Sequence, residues 1–227
     1  MSLSDDYYFK HYKDVTNKGA VGFVSKIVHY SLENWPYSKN HQNGITPIID
    51  QTEYQILEVG AGHGQHVKYV KTKFTSYFQT DFRPELLEEY ANENVITVRE
   101  PINAEALPYE DEKFDRVIAT CLLIHLKEPE AALKEWMRVL KEGGVITVYV
   151  PNEPGLVLRL LQATTTRRKQ KKLGIPATYL HYKEHPFSYP YLISIIKQNF
   201  EKPLIRKFPF IFGPWDLNVW TVITIQK

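Results

Sequence analysis

The chain has 227 residues, 43% of them hydrophobic and 13% aromatic, which is enough to bury the core of one soluble globular domain. A formal net charge of +2 is too small to imply nucleic acid or an anionic membrane as a partner. A single cysteine, Cys121, excludes an internal disulfide and fits a reducing compartment. No apolar run is long enough to span a bilayer, and the acidic, aromatic start of the chain is unlike a signal peptide, so a cytoplasmic protein is expected.

Residues 5–14 carry Tyr7, Tyr8, Phe9 and Tyr12 among charges. They either pack their aromatics on the domain or form a lid over a ligand. Ala20, Phe23, Val24, Ile27 and Val28 then recur at helical spacing, which predicts an amphipathic helix over 19–34. Residues 36–50 hold Pro36, Asn43-Gly44 and Pro47, which is loop chemistry.

From residue 54 strands and helices alternate. Strands are predicted over 54–59, 76–79, 95–99, 114–120 and 144–150, and helices over 63–71, 85–92 and 130–141. Gly143-Gly144 is read as the stop of the last of these helices. The fifth strand is β-branched and nearly all apolar, as suits a parallel strand buried on both sides. Alternation of this kind predicts a parallel α/β sheet with right-handed crossovers and helices on both faces. Ligands in such sheets bind outside the carboxyl ends of the strands.

The second half is less regular. Residues 151–190 are rich in proline and include the basic run Arg167-Arg168-Lys169-Gln170-Lys171-Lys172, and a helix is expected at about 155–170. The basic run is read as a solvated helix face, with a phosphate contact as the sharper alternative. A helix over 188–200 and two strands, 204–208 and 218–226, close the chain.

The chemistry centres on Glu58-Val59-Gly60-Ala61-Gly62-His63-Gly64. A buried strand runs into three alternate glycines, which let the backbone turn sharply and bring bare N–H groups to a ligand. Glu58 stands just inside the strand end, where its carboxylate is expected to face whatever the turn holds. A nicotinamide dinucleotide competes for such a turn, but the third glycine of its fingerprint falls at Gln65. Asp81 ends the second strand, and an acid there can accept both hydroxyls of a ribose. The alternative for Asp81 is a helix cap ahead of Pro84-Glu85. Phe82 follows and could lie against a base. No His-Cys metal spacing is apparent, nor H-E-x-x-H, nor a serine-hydrolase elbow.

These motifs resemble the class I S-adenosylmethionine-dependent methyltransferases, in the small-molecule, ubiquinone-biosynthesis-like (type 11) branch. The resemblance covers about residues 54–150. It implies a Rossmann-like, doubly wound, mostly parallel seven-stranded sheet with an antiparallel edge hairpin, in one domain spanning 1–227. Within that domain, 1–50 would be a helical lid, 54–150 the cofactor-binding core, 151–190 an acceptor-site insertion and 191–227 the last helix and edge strands. It also implies S-adenosylmethionine as cofactor and a small-molecule methyl acceptor, on a monomer or homodimer.

Under this resemblance, Gly60, Ala61 and Gly62 would hold the methionine end with Glu58 beside them, and Asp81 and Phe82 the ribose and adenine. Asn103-Ala104 resembles the family's adenine-gripping segment, with an amide where an aspartate is common. Cys121 lies in the apolar run that lines the methionine end, and the run closes in His125, a candidate base for a hydroxyl or amine nucleophile. Tyr7 and Tyr12, with Tyr182 and His185 in the stretch Tyr179, His181, Tyr182, His185, Phe187, Tyr189 and Tyr191, are candidate acceptor contacts. A nicotinamide-dependent oxidoreductase and a non-catalytic nucleoside-binding protein of the same fold remain the alternatives, with RNA methylation weaker still because no basic, aromatic stripe is present.

Overall fold

A computed structural model describes residues 20–34, 54–89, 91–164 and 177–227. Tyr7, Tyr12 and the basic run 167–172 lie outside the described residues. The described elements are α1 (Ala20–Asn34), β1 (Tyr54–Val59), β2 (Phe74–Thr80), β3 (Val95–Thr97), β4 (Phe114–Thr120), α2 (Pro129–Val139), β5 (Leu140–Pro151), α3 (Leu156–Thr164), α4 (Ala177–Glu184), α5 (Tyr189–Asn199), β6 (Leu204–Phe208) and β7 (Trp220–Gln226).

Seven strands form one sheet in the order β3-β2-β1-β4-β5-β7-β6. The first five pair in parallel, and β7 runs antiparallel to both β5 and β6. The fold is therefore the Rossmann-like α/β sheet with an antiparallel edge hairpin. Because β1 lies between β2 and β4, the winding direction reverses between β1 and β4, and the carboxyl ends of the strands open there into a crevice.

Alternation along the central strands sends side chains to two cores. Leu57, Val59, Val117, Ala119, Ile146 and Val148 pack with Leu133 and Trp136 of α2 and Leu192 and Ile196 of α5. On β1 and β4 the neighbouring positions, Tyr54, Ile56 and Ile118, form a smaller cluster with Val67 and Tyr77. Near the hairpin, Val28 and Leu32 of α1 cover Trp220 and Val222. Trp136 is wholly buried, and its indole N–H donates to the Ala104 carbonyl at 2.9 Å, so the large ring carries no unmatched donor into the core.

Two expected helices are absent from the described residues. In place of the helix over 63–71 stands a short 3-10 turn, His66–Tyr69, after which Val70 is extended. The sequence there, Val67, Tyr69, Val70 and Thr72, is β-branched or aromatic and holds helical backbone poorly. In place of the helix over 85–92 stands the turn Pro84–Leu86, after which Leu87 is extended. The Arg99 guanidinium donates to the Leu87 carbonyl at 3.1 Å and to that of Pro84 at 3.5 Å, serving carbonyls that a helix would bond internally. Gly143-Gly144 does not stop α2, which ends at Val139. The pair lies inside β5, where the register with β4 slips between Phe114/Leu140 and Arg116/Val145.

Candidate functional site

The site is built from the ends of four neighbouring strands. At the end of β1, Gly60, Gly62 and Gly64 have φ of +65°, +57° and +67°, the left-handed geometry that the glycine spacing implied. Hydrogen bonds fix the turn. Ala61 N–H donates to the Thr80 carbonyl at 2.9 Å, and Gly64 N–H donates to the Ala61 carbonyl at 2.8 Å. A Cβ on Gly62 would meet nothing within 4 Å, whereas one on Gly60 would meet the Leu122 side chain and one on Gly64 that of Gln79. Bare main chain at Gly62 thus borders open space, a cradle of the kind that a ligand's polar end can fill.

Asp81, at the end of β2, is 6% exposed and turned inward. Its Oδ2 accepts the Gly62 N–H and its Oδ1 the Arg83 N–H, both at 2.9 Å. The carboxylate therefore ties the two strand-end turns together. Phe82 beside it is 70% exposed, an unpacked ring at the lip of the crevice. Asn103 is exposed, and its side-chain carbonyl accepts the Glu105 N–H at 3.0 Å. Ala104 is buried, its carbonyl accepting from Trp136.

Glu58 departs from the sequence expectation. Its carboxylate does not face the turn's ligand side: it is fully buried beneath the turn, where Oε2 accepts the Tyr77 hydroxyl at 2.9 Å. Burial pushes its pKa up to about 7 against the pull of His66 and of the Tyr77 hydrogen bond.

At the end of β4 the chain bends at Cys121, whose φ of +59° is unusual for a residue with a side chain. Burial, then the Glu153 carboxylate, raises its thiol to about 12, so no thiolate forms near neutral pH. His125 follows in the turn Leu123–His125. Its Nδ1 lies 2.9 Å from the Glu184 carbonyl, a contact that requires the proton on Nδ1 and leaves Nε2 as acceptor. The residue stays exposed, yet desolvation of its ring, then the neighbouring His185, holds its pKa below the ordinary imidazole value. The centroids of these two rings are 4.5 Å apart and the rings meet edge to face.

The structure thus brings His185 to His125, and leaves Tyr182 62% exposed with its ring against His181. Glu153, just past the end of β5, was missed in the sequence. It is buried and accepts from both His181 and His185. The signal was an acid two residues past a strand end, close to the one that marked Asp81.

A family model described as a methyltransferase domain matches residues 57–148, from within β1 to within β5. Residues 57–148 are therefore similar to a type 11 methyltransferase domain. An uncharacterized protein of Mycobacterium tuberculosis is 28% identical to this chain over 134 residues, which are 57% of this chain and 49% of that protein. A phosphatidylethanolamine N-methyltransferase of Cereibacter sphaeroides is 32% identical over 101 residues, 41% of this chain and 49% of that enzyme. The chain spans about half the length of the curated relatives it matches. Among solved structures, a chain from the complex between the Haloferax volcanii Trm112 methyltransferase activator and a putative methyltransferase superposes with a TM-score of 0.62 at 12% identity. That superposition covers 100% of this chain and 98% of that one, and it speaks for the methyltransferase fold alone. The glycine turn, inward acid and exposed aromatic all fit the cofactor, because among the described residues nothing lies within 4 Å of where a Gly62 Cβ would stand, which leaves room for a polar end beside Asp81.

Proposed function

We propose that this chain transfers a methyl group from S-adenosylmethionine to a small-molecule acceptor bound between the crevice and the segment that follows β5. The observation that carries this reading is the Asp81–Gly62 pair, a buried carboxylate and a bare main-chain turn at the winding reversal. When bound, the cofactor supplies a sulfonium that already activates its methyl group, so the protein has mainly to align two reactants and exclude water.

In this reading Gly60, Ala61 and Gly62 receive the methionine end. Asp81 gives up its hold on Gly62 N–H, or shares it, to accept the ribose hydroxyls. Phe82 covers the adenine, and Asn103 and Ala104 border its edge. Cys121 contributes backbone and packing, since its thiol stays protonated. Glu58 acts from beneath, by supporting the turn through Tyr77. His125 is unprotonated at neutral pH, and only its Nε2 is available to take a proton from an acceptor hydroxyl or amine. Tyr182 and His185 border the acceptor side.

Calorimetry with S-adenosylmethionine and S-adenosylhomocysteine tests the assignment. Binding that Asp81→Ala abolishes supports it; absent binding, or NAD bound in its place, overturns it. Donor binding without turnover on any acceptor pool would leave a non-catalytic member of the fold.

A further inference from the structure

Beside the crevice, one cluster has the make-up of a ligand set. Glu153 Oε2 lies 2.6 Å from His185 Nδ1 and 3.2 Å from His181 Nε2, and the three atoms all fall within 4.8 Å of one another. The imidazoles come from one stretch: His181 and His185 are four residues apart, with the His185 N–H donating to the His181 carbonyl at 2.9 Å. One helical turn therefore presents both rings to one point, the spacing that histidine pairs use to hold an ion. The carboxylate comes from across the fold, and its position is set by main chain. Tyr189 N–H donates to the Glu153 carbonyl at 2.7 Å, while neighbouring Asn152 is wholly buried and bonded to the Trp215 carbonyl and the Thr221 hydroxyl.

The carboxylate is oriented from outside as well. Gln162 donates to Glu153 Oε1 at 2.9 Å and so leaves Oε2 for the histidines. A second partner of this kind is what fixes the direction of a metal-binding carboxylate. Atoms bound to one ion at about 2.0–2.2 Å stand roughly 3–3.5 Å apart. The Glu153–His181 distance already meets that, the Glu153–His185 contact needs a small withdrawal, and the two imidazole nitrogens, within 4.8 Å of each other, would draw in around an ion. Two imidazoles and one carboxylate suit ions of borderline softness, whereas magnesium and calcium favour oxygen throughout.

We propose that Glu153, His181 and His185 bind a divalent transition-metal ion of the zinc type, with a coordination position left for a further ligand. The site lies past the end of β5, near Cys121 and His125, on the acceptor side of the crevice. An oxygen of the acceptor is the natural further ligand, and a hydroxyl on such an ion is more acidic than a free one. Metal binding does not depend on the methyl-transfer reading.

The test uses the full chain after dialysis against a chelator. Zinc is titrated by calorimetry and cobalt(II) by visible absorption. About one ion per chain, with a dissociation constant below about 10 μM, is expected. His181→Ala should weaken binding by at least about tenfold and abolish the cobalt bands, and Glu153→Gln should do the same. His181→Ala removes a partly exposed ring, so it decides the matter even if Glu153→Gln does not fold. Binding weaker than that limit, or wild-type binding in both variants, overturns the proposal, because the ion would then sit on other histidines of the eight in the chain. S-adenosylmethionine binding measured in the same metal-free samples separates this result from the fate of the methyl-transfer assignment.

Discussion

Gly62 and Gly64 share a left-handed backbone but not a neighbourhood. Alanine at either position carries a conformational penalty of about 1–2 kcal/mol. At Gly62 that is the whole cost, because the new methyl enters open space. At Gly64 the methyl also meets the side chain of Gln79, which is wholly buried and donates to the Gly64 carbonyl. Overpacking there adds a further 1–3 kcal/mol or so. Urea denaturation should therefore rank Gly64→Ala well below Gly62→Ala in stability, while Gly62→Ala is the variant that loses S-adenosylmethionine in calorimetry. Equal stability losses with cofactor affinity intact would mean that the space at Gly62 is not the cradle. Glu58 makes the opposite trade. Its folded pKa of about 7 lies above the ordinary value of 4.5, so the protein loses stability as pH rises between them. Glu58→Gln removes that loss and should be more stable than the wild type at pH 8 by on the order of 3 kcal/mol, but not at pH 4. The glycines were readable because a turn needs them in sequence. The inward direction of Glu58 was not, because it depends on Tyr77 across a strand pair.

At the scale of elements, α1 is bound to the sheet by charge as well as by apolar contact. Glu33 stands against Arg116 of β4 at 2.9 Å and His66 at 3.0 Å, and all three are essentially shut off from water. Burial works to raise the Glu33 pKa, but the Arg116 guanidinium and then the His66 hydrogen bond outweigh it and hold the carboxyl at about 2. Removing one partner of such a pair leaves a buried charge uncompensated. Glu33→Ala should accordingly cost about 3–5 kcal/mol in urea unfolding. Since the folded pKa lies below the ordinary 4.5, the carboxyl's contribution is complete above pH 4.5 and fades as pH falls towards 2. A variant as stable as the wild type would show that α1 does not depend on this pair. The helical period of α1 and the apolar run of β4 were plain in the sequence. The pairing of Glu33 with Arg116 was not, because these residues stand 83 positions apart and no local pattern marks them. The turns that replaced two expected helices failed for the converse reason: their periodicity was adequate, but β-branched residues in one and the Arg99 contacts in the other favoured extended chain.

Over the whole molecule, a parallel sheet could be read from the alternation of elements, and with it the end of the sheet where ligands bind. What the alternation could not reveal is how the segment after β5 folds back, because its prolines mark breaks without saying where the chain goes next. That return places His185 on His125 and the Glu153 carboxylate on both histidines of α4 and its following turn. It also gives the molecule a shared response to acid. Burial, then His66, holds His29 down to about 3, and desolvation, then His185, holds the exposed His125 below the ordinary 6.5. Both folded values lie below the ordinary 6.5, so the unfolded chain takes up protons first and stability falls as pH drops below about 6.5. Glu33 adds to the fall below 4.5, as does Glu153, whose carboxyl the His181 and His185 hydrogen bonds hold low despite burial, while Glu58, between 7 and 4.5, works against it. The urea midpoint should therefore decline between pH 6.5 and 5, before the Glu33 carboxyl begins to protonate. A His29→Gln, His125→Asn double variant should decline less over the same interval. In the wild type, the His125 C2 proton followed by NMR should titrate below the ordinary 6.5. Titration near 6.5 would mean that the ring is free of Glu184 and His185 in solution, and that the segment after β5 does not close on the crevice as described.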